Sequence, residues 1–399
     1  MDPRFPDPPI RLITPGFVAL AVATLAFFVA AGIVLPVAPT FAKEALGADE
    51  GGVGIAIASF SIAALLLRPL VGWSADRFGR RPLLIGGALL TVAALGLHLA
   101  ANDLGLFIAA RALLGAGEGF FFVAAIAAGS DLAPPARRGE AISFLSLSLY
   151  LGIAIGPAMG EAALTAGGSY AAVWLVAIVV AAVAVVLTLF VPESAPAVLA
   201  GNAGERARGP LIHPAGLFPG FVSLLGLWGM AGFFTFLPLH ARGMGMDGAG
   251  LPLLIYGLVV VVLRVIGATW PDRLGAARLS SAALVVSAAG LAIIGLLRSA
   301  EGLLAGTFVF AVGVAFTMPA LLSLAVARVA PTERGTVAGT VTLFIDISFG
   351  IAPVVLGLVA NRLGYEPTFL FSAVLAALGS SLLLVRRRSL EQAPAAAGG

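Results

Sequence analysis

The chain has 399 residues, of which 60% are hydrophobic and only 11% charged, and its mean hydropathy is +1.07. Soluble domains carry roughly 25% charged residues, so this composition excludes an ordinary soluble globular protein and points to the bilayer as solvent. There is no Cys, hence no disulfide and no thiolate metal site, and the three His (His98, His213, His240) show no metal-ligand spacing.

The first fourteen residues, Pro-rich with Arg4 and Arg11, read as a short cytoplasmic tail. Residues 16–40 are too long for a signal-peptide core and lack an A-x-A cleavage site, so they read as a first membrane span. A span needs about 20 apolar residues. Twelve segments qualify: 16–40, 52–75, 82–101, 104–130, 139–165, 169–191, 214–240, 248–271, 277–297, 301–328, 335–361 and 366–386. Residues 192–213, with Glu193, Glu205, Arg206 and Arg208, are the longest polar interruption and divide six spans from six. The predicted organisation is therefore all-α and polytopic: an N-terminal six-helix bundle (1–191), a cytoplasmic central linker (192–213) and a C-terminal six-helix bundle (214–399). The Ala/Gly-rich end after Arg388 reads as a disordered tail.

Charge orients this layout. With both termini inside, sixteen basic residues fall on the cytoplasmic side, among them Arg77, Arg80, Arg81, Arg138, Arg273 and Arg334, against Lys43, Arg242, Arg298 and Arg362 outside. That asymmetry satisfies the positive-inside rule and predicts a multi-pass protein of the bacterial inner-membrane type with cytoplasmic termini. Arg68, Arg111 and Arg264 remain at membrane depth. A pI of 9.8 does not imply a nucleic-acid partner, because the arginines are dispersed through short loops.

An internal repeat runs through the chain. Arg264, Asp272, Arg273 and Gly275 echo Arg68, Asp76, Arg77 and Gly79 at an offset of 196 positions, and Pro331-Thr-Glu-Arg334-Gly335 echoes Pro135-Ala-Arg-Arg138-Gly139 at the same offset. Two matches at one offset indicate duplication of a six-span half. The knot between the second and third spans, Gly72-Trp-Ser-Ala-Asp76-Arg77-Phe-Gly79-Arg80-Arg81, resembles the signature loop of the major facilitator superfamily. Arg111-Ala-Leu-Leu-Gly115-Ala-Gly117 resembles the RxxxGxG pattern of its proton-coupled members. Gly152-Ile-Ala-Ile-Gly156-Pro157-Ala-Met-Gly160 resembles the fifth-span motif of its drug/proton antiporter branch. The resemblance implies a twelve-helix secondary transporter, not an enzyme. One departure stands out: the first span has no membrane acid, where several members of that branch carry one.

The residues themselves suggest roles. The helix start after Arg334 offers unsatisfied N–H groups and a positive dipole end, so Asp76 docked there would latch the halves together. By the repeat, Asp272 would dock near Arg138 at the start of the fifth span. Gly152, Gly156 and Gly160 share one helix face and admit a close neighbour, while Pro157 allows a bend. Ionisable groups at membrane depth mark function by default. Glu118 lies about two turns, roughly 10 Å, from Arg111 on one face, with Gly115, Gly117 and Gly119 expected to leave room for water and substrate. Asp346 stands mid-span with no basic neighbour in sequence; burial favours the protonated form of such an acid, and the alternative is a structural pair with an arginine from another helix, for example Arg264. Either acid is a candidate for the coupled proton or a substrate charge. Glu161 reads as a water-exposed rim residue, and Arg68 and Arg264 as mainly architectural.

There is no phosphate loop followed by Lys-Ser/Thr, so an ATP-driven pump is unsupported, and no cofactor or metal is expected. Asn and Gln are almost absent from the spans, whereas a sugar site needs many hydrogen-bonding side chains. The expected function is export of hydrophobic or amphipathic small molecules in exchange for protons by a lipid-embedded monomer. The alternative is a proton-coupled importer of sugars or other small polar metabolites.

Overall fold

The computed structural model describes residues 12–134, 137–194, 212–267, 270–327, 329–330 and 333–392, and for residues 69, 72, 73, 75, 76, 272, 335 and 387–392 only the backbone. Every regular element in that set is helical: α1 (Pro15–Thr40), prolonged by a π-helical turn (Phe41–Ala45), α2 (Glu50–Phe78), α3 (Arg80–Ala100), α4 (Leu104–Leu132), α5 (Arg138–Gly167), α6 (Tyr170–Thr188), α7 (Pro214–Gly243), α8 (Gly250–Ile266), α9 (Trp270–Leu274), α10 (Ala276–Leu296), α11 (Ala300–Val326), α12 (Arg334–Leu363) and α13 (Tyr365–Gln392). Among the described residues, eleven of these helices contain a stretch long and apolar enough to cross a membrane. The eighth expected span, 248–271, differs. Its apolar part ends at Ile266, and the short α9 carries Trp270 and Pro271. Seventeen residues rise about 26 Å, a little under the ~30 Å hydrocarbon core.

Local chemistry sets the boundaries. Thr14, Asp49, Asp103, Ser169 and Ser299 each stand before a helix and accept a backbone N–H from its first turn, which satisfies donors that have no intrahelical acceptor. Gly79 separates α2 from α3 at φ +90°, and Gly275 separates α9 from α10 at φ +85°. Only glycine enters that region without strain, so the two positions 196 residues apart form the same joint.

Packing repeats as the sequence does. In the first half α1 lies on α5 and α6, α4 on α2 and α3, and α3 on α6. In the second half α7 lies on α12 and α13, α11 on α8 and α10, and α10 on α13. The halves meet where α2 packs on α12, α5 on α8 and α1 on α7. Large apolar side chains such as Leu66, Val179, Val265, Leu358 and Val374 point outward, as a lipid-facing belt requires. The expected linker, 192–213, lies outside the described residues from 195 to 211.

The face opposite the termini is where the described polar contacts between the halves gather. Arg242 pairs with Glu44, Asn361 Nδ2 donates to Asp49 (3.1 Å), and the Tyr365 hydroxyl donates to Glu50 (3.2 Å). Backbones also approach closely there: Gly54 faces the Pro353 carbonyl, and Gly357 faces that of Glu50. Glu161 is not a free rim residue. Its carboxylate accepts the Ala249 N–H at 3.1 Å and lies against Gly248 and Gly250, because a helix start with open donors attracts a carboxylate.

Candidate functional site

A cavity of about 260 Å³ lies between the halves, lined by α1, α2, α4, α5, α7 and α12. Its walls are largely apolar and aromatic, including Phe28, Phe60, Leu114, Ile153, Met230, Phe234 and Phe349. Arg111, Glu118 and Asp346 reach it, together with Ser61 and Thr235, and no amide side chain lines it. Two acids that belong to different halves of the sequence thus share one chamber.

Each charged group is held differently. Arg111 is buried, with its guanidinium 5.0 Å from the centroid of the Phe60 ring, a cation–π arrangement that leaves its Nε without a hydrogen-bond partner. Glu118 is half-buried and makes no ion pair or hydrogen bond among the described residues. Asp346 does not stand alone as expected. It forms an ion pair with Arg68 of α2 at 2.5 Å, and Arg68 also donates to Thr342 Oγ1 at 3.3 Å. Arg68 is therefore a bridge between the halves as well as an architectural residue. Its partner is 278 positions away, so proximity along the chain could not show it. The signal that could have shown it was the repeat, which places the second span of one half against the fifth of the other.

The glycines of α4 do not leave room for a guest as expected. A side chain at Gly115 would overlap the Phe60 backbone, and one at Gly117 would meet the backbone of α3 at Gly87 and Thr91. Both gaps are filled by neighbouring helices; only Gly119 has slack, with Ala64 at 3.9 Å. On α5, Gly152, Gly156 and Gly160 lie against α1 at Phe28, Gly32 and Ile33, and a Cβ at Gly156 would stand 2.6 Å from the Gly32 Cα. Pro157 is inside the same helix.

The described contacts of the knot between α2 and α3 run to α4, to the end of α6 and to Glu193 just after it. Arg80 pairs with Asp131 at 3.1 Å. Glu193 accepts the Arg80 and Arg81 N–H groups at 2.9 and 3.2 Å, capping α3, and Arg81 donates to the Leu189 carbonyl at 2.6 Å. Arg77, Arg138, Arg273 and Arg334 are exposed. The side chains of Asp76 and Asp272 lie outside what the structure describes, and with them the expected docking contacts; Gly72 is placed within α2 by its backbone alone.

An all-helical architecture of two repeated halves, with eleven membrane-length helices among the described residues and a central cavity with ionisable groups, is that of a membrane transporter rather than an enzyme. The chain belongs to the major facilitator superfamily, whose family model matches residues 20–301 and 247–399. It is similar to an uncharacterised MFS-type transporter of Salmonella typhimurium, 29% identical over 89% of this chain and 93% of the relative. An uncharacterised MFS-type transporter of Burkholderia mallei is 30% identical over 94% and 93% respectively. Among solved structures, a POT family transporter in complex with a thioalcohol-conjugated peptide superposes with a TM-score of 0.80 at 13% identity, covering 94% of this chain and 97% of that one.

Proposed function

We propose that the chain exports hydrophobic or amphipathic small molecules in exchange for protons, as a member of the drug/proton antiporter branch, by alternating access of the central cavity. The observation that carries this reading is Glu118, a carboxyl group without a partner among the described residues, in an aromatic, amide-free chamber. Such a group is costly when ionised and unpaired, and a proton or a cationic guest relieves it. Proton and substrate then lower each other's affinity by linkage. Asp346 is the second candidate, since opening the Arg68 pair would free it. The sixteen-to-four distribution of basic residues supports cytoplasmic termini in a bacterial inner membrane. In that orientation the face held by the Glu44–Arg242 and Glu161–Ala249 contacts is the external one. The latch belongs to this cycle: Asp76 docking at the start of α12 and Asp272 at the start of α5 would close the cytoplasmic face.

In everted vesicles, hydrophobic cations and neutral drugs should collapse a preformed proton gradient, and hexoses should not. Glu118→Gln and Asp346→Asn, made separately, should include at least one variant that binds substrate but no longer exchanges it against the gradient. Full pH-driven exchange by both variants and by the double variant would overturn the coupling. Saturable proton-driven hexose uptake into liposomes would instead establish the polar-metabolite importer.

A further inference from the structure

The repeat that relates the two halves also relates their membrane arginines, and it exposes an asymmetry. Arg68 of α2 meets Thr342 and Asp346 of α12. Shifting each by the same 196 positions gives Arg264 of α8 and Ser146 and Tyr150 of α5. The structure brings this second set together too: the Arg264 guanidinium carbon lies 3.8 Å from the centroid of the Tyr150 ring, and Ser146 lines the same cleft. The hydroxyl has a counterpart, but the carboxylate is replaced by an aromatic ring. Arg264 consequently has no ion-pair partner among the described residues, and its Nε is buried without a hydrogen bond. Among the described residues the one acid lining the cleft, Glu140, is already engaged by Arg137 in a two-pronged pair of 2.8 Å bonds.

The cleft encloses about 410 Å³ between α5, α8 and α11. Beyond the arginine its walls are mostly apolar, with Phe144, Val261, Phe316 and Pro319 on them. A half-buried guanidinium gains most from a planar, bidentate anion, and the ring that stacks on it leaves its edge donors available. We propose that this cleft binds an amphipathic organic anion, whose carboxylate takes at Arg264 the place that Asp346 holds at Arg68, while its apolar body rests against Phe144 and Phe316. The phosphate of an acidic lipid offers the same chemistry from a different source, so the test separates the two.

The full-length protein in phosphatidylcholine nanodiscs is titrated calorimetrically with 2-naphthoate and with the neutral 2-naphthalenemethanol, with no proton gradient. Failure here therefore leaves the proposed exchange untouched. Wild-type protein should bind the acid saturably and more tightly than the alcohol. Arg264→Gln should weaken the acid by about tenfold or more, the scale of a charge-assisted hydrogen bond, and leave the alcohol unchanged. Tyr150→Asp supplies the carboxylate internally and should cause the same loss; it also keeps the test valid if Arg264→Gln does not fold. In nanodiscs containing phosphatidylglycerol, weaker naphthoate binding by wild type but not by Arg264→Gln identifies a lipid headgroup as a second occupant of the same site. No change there identifies a free carboxylate as its ligand. No saturable binding by wild type, equal affinity for acid and alcohol, or unchanged naphthoate affinity in the folded variants overturns the proposal.

Discussion

A carboxylate at membrane depth must share its charge or shed it, and the two acids of the central cavity do this differently. Asp346 shares its charge with Arg68, whereas Glu118 has no such partner. Neutralising them should therefore act in opposite directions on stability. Asp346→Asn leaves Arg68 unpaired and should lower the thermal midpoint of the purified protein. Glu118→Gln removes a half-buried charge with no ion pair among the described residues and should leave the midpoint unchanged or raise it. A double-mutant cycle on Arg68 and Asp346 should give a coupling of about 1 kcal/mol, kept modest because Arg68 is 42% exposed. Equal losses from Glu118→Gln and Asp346→Asn would refute this contrast. The candidate acids were legible from their depth in apolar sequence alone. The ion pair was not, since its members sit on helices that meet only after both halves have folded.

Helices show where reading by composition succeeds and where it stops. Apolar length made the spans visible, because crossing the bilayer requires a minimum run of apolar residues. The eighth expected span runs past its apolar end at Ile266, because it takes in Trp270 and Pro271, which begin the short α9. Glycine is the harder case, because the sequence shows a missing side chain but not what takes its place. Gly156 meets the α1 backbone, whereas Gly96 of α3 has nothing within 4 Å of the position a Cβ would take. Gly156→Ala should cost ~1–3 kcal/mol through overpacking and lower the thermal midpoint. Gly96→Ala, in open space, should be neutral or stabilising by up to about 1 kcal/mol through helix propensity. Identical shifts for the two would mean that α1 and α5 are not in the contact described.

At the scale of the whole molecule, alternating access requires that contacts on one face break as those on the other form. On the termini face, the proposed latch predicts that Asp76→Asn reduces transport while expression and helical content persist. Unchanged cysteine accessibility on both faces would end that idea. The opposite face is described in more detail, and Glu161 is its clearest lever. The carboxylate belongs to α5 of the first half, and the N–H it accepts belongs to Ala249, at the start of α8 in the second. The bond therefore exists only while the halves are together on this face. Removing a carboxylate at a helix start costs ~1 kcal/mol. If that loss falls on the closed form alone, the equilibrium moves toward opening by about fivefold, since 1.4 kcal/mol is a factor of ten. The natural chain has no Cys, so Ser61→Cys, in the central cavity, gives a single reactive thiol without further engineering. Its reaction with a membrane-impermeant maleimide applied to the face opposite the termini should be slow in this background and several-fold faster when Glu161→Ala is added. Thr165→Ala is the control, because that hydroxyl bonds only within α5, to the Glu161 carbonyl at 2.9 Å, and should leave the rate unchanged. An unaltered rate in the Glu161→Ala variant would show that this contact does not hold the face shut, and closure would then rest on the backbone packing of α2 against α12.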